Sequence, residues 1–397
     1  MQYILFDDSS RTNLLPLTYT RPVADIRFGI LTIREKWEKY LGVKTATLTE
    51  DYLSEKFPFV KDDNIILING SICPNENLIK EIQQLRPNEA LTAPDILIAQ
   101  HVLGSDLDSG LDLEQESLNQ VDTQSDFLKI NNTWDIFSKN EEAIRDDFSL
   151  ITKGRKSAPL PKSCNFAGAD NLFIEEGAKL SFATINAETG PVYIGKDAEI
   201  MEGAVIRGPF ALCDHSTVKM AAKIYGPTTV GPHSKVGGEL NNVVIFGYSN
   251  KAHDGFLGHS VIGEWCNLGA DTNTSNLKNT YDTIKVWNYP QKTFVSTGLQ
   301  FCGLVMGDHS KCGINTMFNT GTVVGVFCNI FGSGFQRVFI SSFSWGGTAG
   351  ISIYDIDKAV EVARRVTSRR GLDFTEVDEN ILRAIFEISF ENRKFKY

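Results

Sequence analysis

The sequence predicts two dissimilar halves, an α/β domain followed by a parallel β-helix with α-helices at its end. Three observations carry this. Short apolar runs alternate with helix-patterned stretches from Tyr3 to about residue 150. From Ile194 onward an aliphatic residue returns at every sixth position. Past Gly347 the pattern becomes that of amphipathic helices.

In the first half, "YILFDD" (Tyr3 to Asp8) and "NIILING" (Asn64 to Gly70) read as buried strands. "FGILTIREKWEKYLG" reads as a helix stopped by Gly42, and "NENLIKEIQQL" (Asn75 to Leu85) as a second helix. Strand then helix, repeated, suggests a parallel sheet. The polar, acidic stretch Gly104 to Asp126 is expected as a surface excursion. The helix over Asn131 to Ile151 is expected to close the domain. The boundaries read as 1–152 for the α/β domain, 153–187 for a linker that begins with the basic, proline-bearing "KGRKSAPLPKS", 188–348 for the β-helix and 349–397 for a helical extension.

The six-residue register runs through Ile194, Ile200, Ile206, Leu212, Val218, Ile224, Val230 and Val236 without a miss. Small residues follow four later at Ala198, Ala204, Ser216, Ala222, Thr228 and Ser234, with Phe210 and Leu240 as exceptions. A period of six fits neither a helix nor a simple strand. Three hexads make one triangular coil, with the aliphatic residue inward on each face. Burying each such residue contributes roughly 1.5–3 kcal/mol to a shared core. The register resumes as Phe256, Ile262 and Leu268, then Met306, Cys312, Phe318, Val324 and Ile330. Interruptions at 241–252 and 277–300 are expected as loops on one face, where binding residues gather. Thr375 with Asp378 reads as a capping box on the last helix.

Bulk composition narrows the function classes. Net charge is −10, which argues against nucleic acid as main partner. No run of apolar residues is long enough for a membrane span, and "MQYILFDDSSRTN" lacks a signal-peptide pattern. Seven cysteines without a C-x-x-C pair read as reduced thiols, so a cytoplasmic protein is expected.

The stretch "NKAHDGFLGHSVIGEWCNLGADTNTSN" (Asn250 to Asn276) resembles the acetyltransferase motif of the bifunctional enzymes that make UDP-N-acetylglucosamine, the GlmU family. Matching positions are His253, Phe256, Leu257, Gly258, Ile262, Gly263, Asn267, Leu268, Gly269, Ala270 and Asn276. "LLPLTYTRPVADIRFGILTIREKW" and "TGLQFCGLVMGDHSKCGINTMFNTGTVVG" look like segments of a divergent bacterial variety of that family. The resemblance implies a left-handed β-helix and a reduced, nucleotidyltransferase-like domain with a Rossmann-like sheet. It implies acetyl-CoA as acyl donor, an amino-sugar phosphate resembling glucosamine-1-phosphate as acceptor, and a site at a subunit junction of a homotrimer. His253 would be the general base, Asn267 and Asn276 would orient the sugar or the intermediate, and the backbone near Ala270 would meet the thioester carbonyl. These residue types suit the reaction. An ammonium must lose a proton before it attacks, and an oxyanion needs fixed donors.

The sequence departs from the family at the contacts to the acceptor. Lys223 stands where the family has a phosphate-binding Arg, Asn241 where it has Lys, and Phe256 and Leu277 where it has Tyr. Lys251, Lys278 or Lys285 could supply the missing phosphate contact, so Lys223, Lys251, Phe256 and Ala270 are read as substrate-binding candidates. In the first half, Arg11 ends the turn where the family has its Arg, and Arg21 stands beside Pro22-Val23 where the family has Pro-Lys, so both are read as nucleotide-binding candidates. Asp7, Asp8, Ser9 and Ser10 replace the glycine-rich turn, and Ser71 replaces a metal-binding Asp. Carboxylates there would repel phosphate and a hydroxyl is a poor Mg²⁺ ligand, so Mg²⁺ is expected only if this domain transfers nucleotides.

Each candidate has a plainer reading. His253 could be a solvated turn histidine, Asn267 and Asn276 corner residues, Lys223 a surface lysine, and Arg11 and Arg21 ion-pair partners of Asp7, Asp8 or Asp25. Asp197, His215 and His233 lie 18 apart and could line up as metal ligands across a trimer junction, although outward turn positions favour polar residues anyway. The expected function is acetyl-CoA-dependent N-acyl transfer to an amino-sugar phosphate or nucleotide sugar. Sugar-1-phosphate nucleotidyl transfer and a non-catalytic sugar-nucleotide scaffold are the alternatives.

Overall fold

The computed structural model describes residues 1–104 and 119–393, which fall into two compact units. Most of the expected surface excursion at 104–126 lies outside the described residues. Its end, Asn119–Asp122, forms an edge strand.

The first unit holds a six-stranded sheet in the order Ala46–Leu48, Gln2–Phe6, Asn64–Asn69, Ile96–Leu103, Glu89–Ala93, Asn119–Asp122. The sheet is mixed rather than parallel. Gln2–Phe6 pairs in parallel with both its neighbours, whereas Ile96–Leu103 runs antiparallel to Asn64–Asn69 and to Glu89–Ala93. The cause is local. Only Pro94 and Asp95, the latter at φ +59°, join Glu89–Ala93 to Ile96–Leu103, a link far too short for a parallel crossover. Helix Ile33–Leu41 starts with a Thr32–Glu35 capping box and stops at Gly42 in the left-handed conformation. Its Trp37 is fully buried and donates to the Ile72 carbonyl at 2.8 Å.

The second unit is built on the left-handed β-helix. All eight aliphatic residues from Ile194 to Val236 lie in one continuous buried core, and the small residues at the corners are buried with them. Three inward columns run up the solenoid. One passes through Ile206, Ile224, Leu240 and Leu257; one through Leu212, Val230, Ile245, Ile262 and Met306; one through Val218, Val236, Lys251, Leu268 and Cys312.

The structure corrects three sequence expectations here. The solenoid begins at Asn165, because Asn165–Ala167, Leu172–Ile174 and Lys179–Leu180 pair with the coil above, so the span 153–187 is mostly coil rather than linker. Helix Asn140–Thr152 packs on the solenoid instead of closing the α/β domain. Asn140 Nδ2 donates to Thr229 Oγ1 at 3.1 Å, and the two residues lie in the same unit. The interruption at 241–252 is no loop. Strand Glu239–Gly247 crosses it directly, Val230 pairs with Ile245 at a step of 15, and Leu240 pairs with Leu257 at a step of 17, in place of 18. The shortened coils move the inward position from Phe256 to Leu257. Leu257 is fully buried and Phe256 is half-exposed.

The second interruption is an excursion as expected, an antiparallel hairpin of Lys285–Asn288 with Thr293–Ser296. After the last coil come helices Ile356–Ser368, capped by Asp355, and Glu376–Ile388, whose Thr375–Asp378 capping box is formed. Phe386 meets Phe343 of the last coil edge to face at 5.0 Å.

One corner of the solenoid carries a ladder of stacked rings: His215, His233, Tyr248, Trp265, His309, Phe327 and Phe343. Each rung sits at φ between +52° and +61°, a conformation required at that corner and unusual for residues with a Cβ.

Candidate functional site

His253 lies in the turn between strands Asn250–Lys251 and Phe256–Glu264. Its side chain is exposed and opens onto a cleft of about 720 Å³. Asn267 and Ala270, from the next coil, line the same cleft. The register explains the meeting. Lys235, Asn250, Asn267 and Lys311 are successive Cα partners on one outer face, so they form a polar row beside the turn.

Among the described residues, four cations line this cleft, Lys235, Lys311, Arg369 and Arg370, and no carboxylate does. In a chain of net charge −10 that segregation favours an anionic ligand. Arg369 and Arg370 come from the end of helix Ile356–Ser368, and Arg370 Nη2 donates to Asn250 Oδ1 at 3.4 Å. Burial pushes the Lys311 ammonium down from its ordinary value, and its Nζ donates to the His309 carbonyl at 3.0 Å. The cationic wall was missed from sequence. The basic run "RRVTSRR" was the available signal, but only the fold brings it to the His253 turn.

The other candidates lie elsewhere. Asn276 is not in the cleft. Its Nδ2 donates to His259 Nδ1 at 2.9 Å, which leaves His259 a neutral ring with the proton on Nε2. Burial drives His259 down to about 4, and its ring stacks on Phe301 and meets Phe137 edge on. The pairing follows from the 17-residue coil, which sets Asn276 beside His259, 17 residues earlier. Lys223 is exposed on a different solenoid face, in one register row with Glu239 and Phe256. Lys251 is a correction. It is buried to 2% exposure, and its Nζ donates to three backbone carbonyls rather than reaching out to a substrate.

Asp197, His215 and His233 do share a column, but their geometry is that of a stack. The two imidazoles lie 4.8 Å apart and nearly parallel, and Asp197 Oδ2 is 3.8 Å from His215 Nδ1. Among the described residues no group of three His, Cys, Asp or Glu is disposed to hold a metal ion.

In the first unit Arg11 is committed to the protein itself. Arg11 pairs with Asp7 at 3.0 Å, and donates to the Arg21 carbonyl at 3.1 Å and to the Tyr52 hydroxyl at 3.0 Å. Arg21 is buried. Burial pushes the Asp7 carboxyl above its ordinary value, against the pull of Arg11, Thr49 and the Val23 N–H. Burial acts on Asp8 in the same sense, but Lys129 at 2.9 Å, with Ser10 and Asn69, holds it below its ordinary value. The adjoining cavity of about 360 Å³ is lined by Asp7, Asp8, Glu50 and Asp51 against Arg11. Neither a Mg²⁺ ion nor a triphosphate suits this set, because Asp7 and Asp8 are already paired with Arg11 and Lys129 and the lining is acidic.

Residues 3–156 match the family described as sugar nucleotidyl transferase. The chain is 32% identical over 121 residues to the bifunctional protein GlmU of Methanocaldococcus jannaschii, covering 30% of this chain and 27% of that one. It is 32% identical over 144 residues to the bifunctional sugar-1-phosphate nucleotidylyltransferase/acetyltransferase of Sulfurisphaera tokodaii, 36% of this chain and 35% of that one. With the GlmU of Methanococcus vannielii it shares 28% identity over 262 residues, 65% of this chain and 54% of that one. The matches thus span between about a quarter and a half of these relatives' lengths. The first part is similar to sugar nucleotidyltransferases, and up to 65% of the chain is similar to GlmU-type bifunctional proteins.

Proposed function

We propose that the chain is a transferase that moves an acyl group from acetyl-CoA to the amine of a sugar carrying a phosphate or nucleoside diphosphate. The observation that carries this reading is the cleft, where an exposed imidazole and an amide share one surface that four cations line. His253 takes a proton from the amine as its nitrogen bonds to the thioester carbonyl carbon. The C–S bond then breaks, and the departing thiolate is protonated. Asn267 orients the acceptor or the tetrahedral intermediate, and the backbone near Ala270 faces the oxyanion. The cations of the cleft hold phosphate groups of donor or acceptor. Asn276, bound to His259, is left out of this scheme, and Lys223 and Phe256 are read as contacts on the adjoining face. A second copy of the chain, in a trimer, would enclose the cleft.

The test is thiol release from acetyl-CoA with glucosamine-1-phosphate and with UDP-linked amino sugars. Release that His253→Ala abolishes supports the reading; a full rate in that variant, or no release with any amino sugar, overturns it. Nucleotidyl transfer by the first unit is the weaker reading, since Arg11 beside its cavity is already paired with Asp7 and Glu50.

A further inference from the structure

The column Val218, Val236, Lys251, Leu268, Cys312, Ile330 has one charged member. Its other five residues are apolar and at most 5% exposed, and Lys251 is buried as deeply, at 2%. A lysine here replaces a side chain that would have contributed roughly 1.5–3 kcal/mol by burial, and it brings an ammonium out of water. The ammonium is fully used. Its three protons go to the carbonyls of Gly237 at 3.2 Å, His253 at 2.6 Å and Asp254 at 3.1 Å. Two of those carbonyls belong to the turn that bears His253. The His253 imidazole itself has no hydrogen-bond partner among the described residues, so the backbone of the turn sets the direction in which its Cα–Cβ bond leaves the chain.

We infer that Lys251 is a positioning residue: from inside the solenoid its ammonium fixes the His253–Asp254 turn, and with it the imidazole that opens onto the cleft. This rests on the acyl-transfer reading of that cleft. The charge state matters, because a neutral amine offers two protons to three carbonyls and turns a lone pair toward one of them. Burial lowers Lys251 to about 8, with Asp254 of the same turn, Asp271 of the turn above and Cys312 of the column acting the other way. Activity therefore falls as pH rises through about 8, where an amine acceptor on its own would react faster. Stability moves oppositely. A lysine whose folded value is lowered costs the fold most below pH 8, and that cost is relieved between pH 8 and 10.5.

The experiment compares wild type, Lys251→Met and His253→Ala. Methionine fills the column with an apolar chain of similar length. It is expected to leave the strands folded, to lower kcat by about 10-fold or more with KM changed less than about twofold, and to remove the alkaline limb. Amide hydrogen exchange at Glu239 and Asp271, whose N–H groups donate to the Gly255 and Asp254 carbonyls of the turn, should quicken about 10-fold in Lys251→Met, and in wild type above pH 8 after correction for intrinsic rates. An unchanged kcat with unchanged exchange at Glu239 and Asp271 overturns the inference. Should Lys251→Met fail to fold, the wild-type exchange profile against pH decides the same question. If His253→Ala retains full activity, the acyl-transfer reading falls, and exchange alone then upholds or overturns Lys251 as the support of the turn.

Discussion

Neighbouring residues in one stretch of chain, His253 and His259, are set to different tasks by their surroundings. His253 is exposed at the cleft, whereas His259 is enclosed by Phe301, Phe137 and Asn276 and is driven down to about 4. His253→Ala is expected to lower kcat for thiol release by roughly 10²–10⁴-fold. His259→Gln is expected to leave that rate much closer to wild type and to act on stability. A half-buried histidine kept neutral stabilises the fold fully above pH 6.5, and that contribution is lost as pH falls from 6.5 toward 4. The melting temperature of wild type should therefore drop more steeply than that of His259→Gln between pH 6.5 and 4.5. The motif around His253, Asn267 and Ala270 was legible in the sequence because one turn and the next coil carry all of it. The pairing of Asn276 with His259 was not legible because it depends on coil length, nor was the burial of Lys251, because a lysine reads as a surface residue until its column is known.

At the level of the coil, the shortened steps of 15 and 17 decide which side chain enters the core. Leu257→Ala should cost about 2–5 kcal/mol in denaturant unfolding, and Phe256→Ala distinctly less. The reverse order would restore the uninterrupted register. The six-residue period made the solenoid legible from Ile194 to Val236, where nothing disturbs it. Its first coils were hidden because they step by 20 and 21 residues, from Ile174 to Ile194 and from Ile185 to Ile206, which takes them out of the six-residue register, and the deletion at 241–252 was hidden because a missing residue leaves no mark of its own. The mixed sheet escaped for a similar reason. Pro94–Asp95 is a two-residue link, and strand direction there is set by that link more than by apolar pattern.

Taken whole, the chain is strongly acidic yet collects four cations at one cleft. Arg369→Ala combined with Arg370→Ala should raise KM for the acyl donor or the phosphorylated acceptor by about 10-fold, and wild-type KM should climb as ionic strength rises past 0.15 M. Pyrophosphate release from UTP with any sugar-1-phosphate should stay at background, and Mg²⁺ with UTP should leave the melting temperature unmoved; a clear burst of pyrophosphate would reverse the reading of the first unit. The ladder of rings has a practical consequence. Trp265 lies 4.3 Å from Tyr248 and nearly parallel to it, and both rings line the cleft. Electronic transitions of rings so placed couple, so the fold should show a strong near-ultraviolet circular dichroism band. Occupation of the cleft should perturb that band, and the tryptophan emission with it, giving a ligand titration that needs no label and no turnover.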